Sequence, residues 1–232
     1  MSRPMLSIVI PTLNAEQALV PTLEALVTPS AQGIVRQVVV ADAGSTDLTL
    51  RIADEMGCDI VRAERGRGQQ LAAGAGLARA DWLLFLHADT VLAEGWHVEA
   101  RKFVETVMRS GEERAAAFRF GLDDFGARPR LLETIVRLRC GLMALPYGDQ
   151  GLLISRRHYD RLGGYRALPL MEDVDLVRRI GRRSLVMLTS TARTSAERYR
   201  RNGYAARMLR NTGCLTLYYL GVSPSTISRF YG

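Results

Sequence analysis

Short apolar runs, each closed by a polar or acidic residue and followed by a stretch of helical spacing, constrain this chain more than any other feature. Residues 5–10 (Met-Leu-Ser-Ile-Val-Ile) stop at Pro11, with Thr12 and Asn14 next. From 15 to 27 apolar residues recur at Ala18, Leu19, Leu23 and Leu26, a helical spacing that tolerates Pro21 only near the first turn. Val38-Val39-Val40 is a second strand-sized run, closed by Asp42-Ala43-Gly44-Ser45-Thr46-Asp47, and 48–56 reads as a helix ended by Gly57. Ile60-Val61 follows, then the loop Arg65-Gly66-Arg67-Gly68 and a small-residue helix over 69–78. A fourth run, 82–86, ends in His87-Ala88-Asp89-Thr90. Strands alternating with single helices imply an α/β protein whose mostly parallel central sheet is covered on both faces. Such sheets bind ligands beyond the carboxyl ends of their strands, so Thr12, Asn14, Asp42 and Asp89 are expected on one rim, with Pro11 and Ala88 beside them as further candidate binding positions.

Beyond residue 95 the regularity weakens. The pattern predicts a helix over 98–108, strands over 115–120 and 151–155, and a helix over 174–180. It also predicts an amphipathic helix over 131–145 with Leu131, Ile135, Leu138, Leu142 and Leu145 on one face, expected to pack on the core. No internal repeat or Pro/Gly/Ser-rich linker interrupts the chain, which reads as a single unit over 1–232. A nucleotide-binding half (about 1–95), an acceptor and catalytic half (about 96–190) and a helical, basic C-terminal extension (about 191–232) divide it.

With 232 residues, 47% of them hydrophobic and 24% charged, the chain is no disordered or low-complexity polymer. Cys58, Cys140 and Cys214 are far apart and in no metal-ligand spacing, which favours a reducing, cytoplasmic setting. No segment has the order of a signal peptide or the ~20 apolar residues of a membrane span. The net charge of +7 is uneven: residues 1–150 hold 16 basic and 19 acidic side chains, and residues 151–232 hold 15 and 5. Lys102 is the only lysine, and arginine is the better planar binder of phosphate and carboxylate. An anionic partner for the basic third is therefore expected: a phosphorylated substrate or a membrane surface touched peripherally. Nucleic acid fits less well, because a pure binder has no need of acids at successive strand ends.

Four polar clusters can carry chemistry. His87 and Asp89 fall on the same side of an extended segment and can hold one Mg²⁺ or Mn²⁺, although the tripeptide alone is slightly better explained by Asp89 capping a turn with His87 hydrogen-bonded on the rim. Asp42 can accept from a ribose or base, or organise an Asx turn with Gly44 and Ser45. Glu172, Asp173 and Asp175 open a helix, where a carboxylate is favoured by the dipole and well placed as a general base. Gly148-Asp149-Gln150-Gly151 is a polar loop that could turn a hairpin or face a substrate.

The order of these motifs, Pro11-Thr12-Leu13-Asn14, Asp42-x-Gly44-Ser45-Thr46-Asp47, Gly66-Arg67-Gly68, Leu84-Phe85-Leu86-His87-Ala88-Asp89-Thr90, Gly148-Asp149-Gln150 and Leu170-Met171-Glu172-Asp173, resembles the family 2 glycosyltransferases of GT-A fold. The likeness covers about residues 5–182 and is nearest to their small bacterial subgroup without a membrane span. It implies a nucleoside-diphosphate-sugar donor, a hydroxyl acceptor, a divalent metal (Mn²⁺ or Mg²⁺) and inversion at the anomeric carbon. By the same likeness Asp42 and Arg67 meet the nucleotide, Asp89 meets the metal and diphosphate, and His87 is a second, weaker metal ligand. Asp173 would deprotonate the acceptor with Glu172 in support, and Asp149 and Gln150 would face the acceptor. Ala43 and His87 stand where the family often has acids, and no histidine follows His158. Ser195-Ala196-Glu197-Arg198-Tyr199 is only loosely similar to the Gln-x-x-Arg-Trp motif of processive synthases, against polymer synthesis. A sugar-phosphate nucleotidyltransferase would share the sheet, but its Gly-rich first loop with a basic residue is missing from Pro11-Thr12-Leu13-Asn14. A non-catalytic nucleic-acid or membrane-surface module is the remaining reading, on the Arg198–Arg210 run.

Overall fold

The computed structural model describes residues 6–231; Met5, which opens the first expected strand, lies outside the described residues. The chain begins with β1 (Leu6–Thr12), α1 (Glu16–Ala31), β2 (Val35–Asp42), α2 (Thr49–Glu55), β3 (Asp59–Arg62), α3 (Arg67–Leu77) and β4 (Trp82–Phe85). All seven residues of β1 are buried, which is why the run shows no polar alternation: helices cover both of its faces. Leu6, Ile8 and Ile10 pack with Leu19, Leu23 and Trp96, while Val9 packs with Val39, Leu71 and Ala75 on the opposite side. α1 runs past Val27 to Ala31 and accommodates Pro29 as well as Pro21 within it.

The second half adds β5 (Thr90–Leu92), α4 (Trp96–Ser110), β6 (Ala115–Asp123), α5 (Ala127–Met143), a 3-10 turn at Gly148–Gln150, β7 (Leu152–Ser155), α6 (Arg156–Arg161) and α7 (Glu172–Ile180). It closes with β8 (Leu185–Ser195), α8 (Glu197–Asn202), α9 (Tyr204–Tyr219) and α10 (Pro224–Tyr231). One eight-stranded sheet results, in the order β3-β2-β1-β4-β7-β6-β8-β5. The β3-β2-β1-β4 half is parallel as expected; β7 then runs antiparallel to both β4 and β6, and β5 antiparallel to β8, so the sheet is mixed.

The eleven-residue β8 is absent from the sequence expectation. It pairs in parallel with β6 and crosses position 191, where the basic extension was expected to begin. Its register slips between Ala117 and Arg119 of β6, and Glu99 of α4 accepts from the Thr189 and Ser190 amides and the Thr189 hydroxyl at 2.8 Å each. A carboxylate from another element thus satisfies the backbone of an irregular strand. α5 departs from expectation as well: Leu132, Val136 and Cys140 face the core, while Leu131, Ile135, Leu138 and Leu142 are exposed. Leu145 alone of the expected face is buried, and it lies beyond the helix. Among the described residues no helix is long and apolar enough to cross a membrane.

Candidate active site

The parallel strands β1, β2 and β4 end side by side, with Thr12 in register with Asp42. Their loops are laced together. Asn14, held at a φ of 50°, accepts from the Thr46 amide at 2.9 Å and donates its own amide to the Ser45 hydroxyl at 2.8 Å. Asp47 and Thr49 accept from the first amides of the α1 turn, Glu16 and Ala15. Gln70, buried and unremarked in the sequence, donates to the Thr12 and Ala41 carbonyls at 2.8 and 2.9 Å and pins the two strand ends.

Asp42 is placed behind this rim. It is 1% exposed and accepts from the Thr12 hydroxyl, the Gly44 and Ser45 amides and the Ser45 hydroxyl. Burial pushes its carboxyl up, but those donors together hold it below the ordinary range. The Asx-turn role explains Asp42, and it does not reach the cavity wall.

A trough of about 850 Å³ opens beyond the rim, bounded by Pro11, Thr12, Asn14, Arg67, Ala88 and Asp89. It meets a smaller cavity of about 120 Å³ that contains Asp149, Glu172 and Asp173. Arg67, His87, Asp89, Ser195 and Arg198 line both, so the acids of the two halves of the chain share one crevice.

Glycines set the close approaches. Gly68 lies so near the Arg166 carbonyl that a Cβ would overlap its oxygen, and this seats the start of α3 with Arg67 over Glu172 (Nε to Oε1 3.1 Å). A Cβ on Gly148 would lie 2.6 Å from His87 Nε2, so only glycine lets this turn reach the crevice. The Gly148 amide donates to Asp173 Oδ2 at 2.7 Å, and the Val174 amide donates to Oδ1 at 2.7 Å. Asp173 enters from a turn in which Met171, a non-glycine residue, holds a φ of 65°. That left-handed backbone aims the start of α7 at the cavity.

The electrostatics separate the acids. Burial pushes the Asp149 carboxyl up to about 6, and the nearby Asp173 and Asp89 charges add to this against the pull of Arg139 and Arg67. Asp149 Oδ1 is buried with no hydrogen-bond partner among the described residues. Glu172 is also raised by burial, opposed by Arg67. His87 is pushed down to about 4, first by burial and then by the Arg67 charge, so its imidazole is neutral at pH 7. Its Nε2 lies 3.4 Å from Arg67 Nη1.

Two expected acceptor-side positions part company here. Asp149 faces the crevice, but Gln150 is 1% exposed and lies on its far side. Gln150 donates to the Phe118 carbonyl at 3.0 Å and accepts from the Tyr147 amide and Arg139 at 3.3 Å each, a structural tie. Asp175, third acid of its helix, pairs with Arg166 and Arg179 and locks α7 in place.

Sequence reasoning missed the far wall. Arg198 from α8 and Arg207, Asn211 and Cys214 from α9 close the smaller cavity, with Tyr147 beside them. Arg139 stacks on Tyr147 at 3.4 Å from the ring centre, and Arg207 lies 5.1 Å from the Tyr199 ring centre. The advance signals were the charge of the basic third with its Arg198–Arg210 run and the Ser-x-x-Arg-Tyr order at 195–199, neither of which placed these residues at the crevice. Among the described residues no three His, Cys, Asp or Glu side chains gather into a preformed metal site.

The sequence model "Glycosyl transferase family 2" matches residues 7–107. A PGL/p-HBAD biosynthesis glycosyltransferase of Mycobacterium tuberculosis is 36% identical over 101 residues, covering 40% of this chain and 39% of that protein; one of Mycobacterium bovis matches to the same extent. The chain thus matches about two-fifths of the length of these curated relatives. Among solved structures, S. aureus TarS 1–349 superposes with a TM-score of 0.63 at 16% identity, over 83% of this chain and 60% of that one. Glucosyl-3-phosphoglycerate synthase from M. tuberculosis, in complex with Mn²⁺, UDP and phosphoglyceric acid, superposes with a TM-score of 0.57 at 19% identity, over 82% and 71%. Residues 7–107 are thus similar to glycosyltransferase family 2, and the mixed, helix-flanked sheet has the GT-A fold.

Proposed function

We propose that the chain transfers a glycosyl group from a nucleoside-diphosphate sugar to a hydroxyl acceptor by a single inverting displacement, with Asp173 as general base. The observation that carries this reading is the shared crevice: Asp89 and Asp173, 84 positions apart, line one cavity that opens into the trough at the strand ends. The trough suits the nucleotide. Pro11, Thr12 and Asn14 offer backbone and side-chain polar groups at one end, and Arg67 and Arg198 bring cationic planes to the diphosphate at the other. Asp42 supports this wall indirectly by fixing the Thr12–Ser45 turn.

The residues also fit a divalent metal, as the Mn²⁺ and UDP of the M. tuberculosis synthase crystal structure encourage. Asp89 supplies a carboxylate and His87 a neutral imidazole. Such a hard oxygen and nitrogen set suits Mg²⁺ or Mn²⁺, which complete their shells with phosphate and water. When bound, the ion would offset charge developing on the departing diphosphate.

Asp173 has each carboxylate oxygen anchored by one backbone amide and keeps lone pairs for an acceptor O–H. It takes the proton as the acceptor oxygen bonds to the anomeric carbon and the bond from that carbon to the diphosphate oxygen breaks. Glu172 holds Arg67 beside this centre, and Asp149 lies on the acceptor side. The test is release of nucleoside diphosphate by the full chain from UDP-, GDP-, CDP- and dTDP-sugars with and without Mn²⁺. Metal-dependent release from one donor supports the proposal. Release of diphosphate from a nucleoside triphosphate and a sugar phosphate would replace it with nucleotidyl transfer.

A further inference from the structure

α5 has two apolar lines, and only one is covered. Leu132, Val136 and Cys140 pack against Phe120, Leu122 and Tyr199. Leu131, Ile135, Leu138 and Leu142 recur at i, i+4, i+7 and i+11 and are 40% to 70% exposed. Phe125, just before the helix, is 88% exposed. A helix in an isolated globular domain turns such a line inward, so this face is open to a partner.

The neighbouring face identifies its chemistry. About a quarter-turn round the helix from the exposed line lie Arg130, Thr134, Arg137 and Gly141. They border a groove of about 710 Å³, closed on the other side by Arg119 of β6 and Arg193 of β8. The side chains of Arg119, Arg137 and Arg193 are in no ion pair or side-chain hydrogen bond among the described residues. Of the acids on this groove, Glu133 is taken by Arg130 and the Leu122 amide, and Asp124 by Arg200 and Tyr204; Asp123 is exposed. The surface therefore pairs an unfilled apolar stripe with unneutralised guanidinium groups.

We propose that this face docks on an anionic lipid bilayer, with α5 lying in the interfacial plane, its leucines at the acyl boundary and the groove arginines on lipid phosphates. Charge decides against a second copy of the chain. A two-fold interface centred on the stripe with antiparallel α5 helices would set the Arg119, Arg137 and Arg193 rows side by side, where like charges oppose association, and a parallel one would leave both rows unneutralised. An anionic membrane satisfies both halves of the face at once.

The experiment is co-sedimentation of the full chain with vesicles of phosphatidylcholine alone and of phosphatidylcholine mixed with phosphatidylglycerol, beside sedimentation velocity without lipid. The parent chain is expected to pellet with the mixed vesicles and to do so less as salt rises. Arg119→Gln/Arg137→Gln/Arg193→Gln should lose about fivefold in partitioning per arginine on the mixed vesicles. Leu131→Gln/Leu138→Gln/Leu142→Gln should lose at least about tenfold, and Leu138→Gln alone, a milder change at an exposed site, should lose less in the same direction. All variants should keep the parent's melting temperature and nucleotide-sugar turnover, because none of these residues touches the crevice. Absence of parent binding to either vesicle, or binding unchanged by the leucine substitutions, would overturn the proposal. So would a lipid-free dimer that those substitutions dissociate, which would assign the stripe to a second copy. The glycosyl-transfer reading stands or falls separately, on donor turnover.

Discussion

Residues 6–92 and residues 185–219 build facing walls of one crevice by different means. The first wall consists of strand ends, and several polar groups on it are fixed by neighbours on the adjoining loop: the Asn14 side chain by Thr46, its amide by Ser45, and Asp42 by Thr12 and Ser45. The second is carried on an irregular strand and two helices, and long-range ties hold it there. Tyr204 and Arg200 reach back to Asp124, and Glu99 reaches up to β8. Local closure makes a rim that is rigid whatever binds to it. In this second wall β8 is laddered to β6 and β5, so it is α8 and α9, tied back to Asp124 by few polar contacts, that are expected to open first.

That contrast can be broken or sharpened by substitution. The largest stability effect is expected on the first wall. Gly68→Ala puts a methyl against the Arg166 carbonyl, a backbone group that cannot swing away, and should cost about 2–3 kcal/mol in urea unfolding. A neutral result would show that α3 can shift freely and that the rim is not rigid.

Next is Asp149→Asn. Its folded-state carboxyl is raised from 3.8 to about 6, so its favourable contribution is present below 3.8 and is lost as pH rises through 6. Removing the charge should therefore stabilise the ligand-free protein above pH 6, by about 1–2 kcal/mol, with the gain fading toward pH 4. Melting temperatures across that range check it, and a gain independent of pH would contradict it.

Arg198→Gln, on the second wall, should weaken donor binding by about tenfold through loss of a charge-assisted contact, and leave the melting temperature unchanged. An unaltered donor affinity by calorimetry would remove the C-terminal wall from the nucleotide site. The smallest effect belongs to Asp124→Asn. Hydrogen bonds from Tyr204 and Arg200 hold that carboxyl down near 2 from its usual 3.8, so its contribution is present above about 3.8 and is lost as pH falls through 2. Hydrogen exchange should show α8 and α9 opening more readily in this variant at pH 7 and equally in both proteins near pH 2.

The sequence disclosed the first wall far better than the second, for reasons visible in particular residues. Apolar runs buried on both faces, such as 6–10, leave no ambiguity of period, and Asp89 and Asp173 stand out because each follows a strand or begins a helix. β8 hides because Thr189, Ser190, Thr191 and Arg193 break its apolar pattern, while its slipped register is satisfied by Glu99 from another element. Asp42 and Gln150 looked like ligand contacts because a sequence shows a polar side chain but not which donors already occupy it. On α5 the period marked a true helix and still misjudged its orientation, since 131/135/138/142 and 132/136/140 are both apolar lines.

The most direct measurement is paired calorimetry and turnover on Asp89→Ala and Asp173→Asn with the donor that the parent uses. The shared crevice predicts a split. Asp89→Ala should lose metal-dependent donor affinity, by about 10–100-fold. Asp173→Asn should bind donor as the parent does and lose transfer to the acceptor by about 10²–10⁴-fold. If Asp173→Asn transfers at the parent's rate, the base lies elsewhere and the meeting of these acids in one cavity has no catalytic meaning.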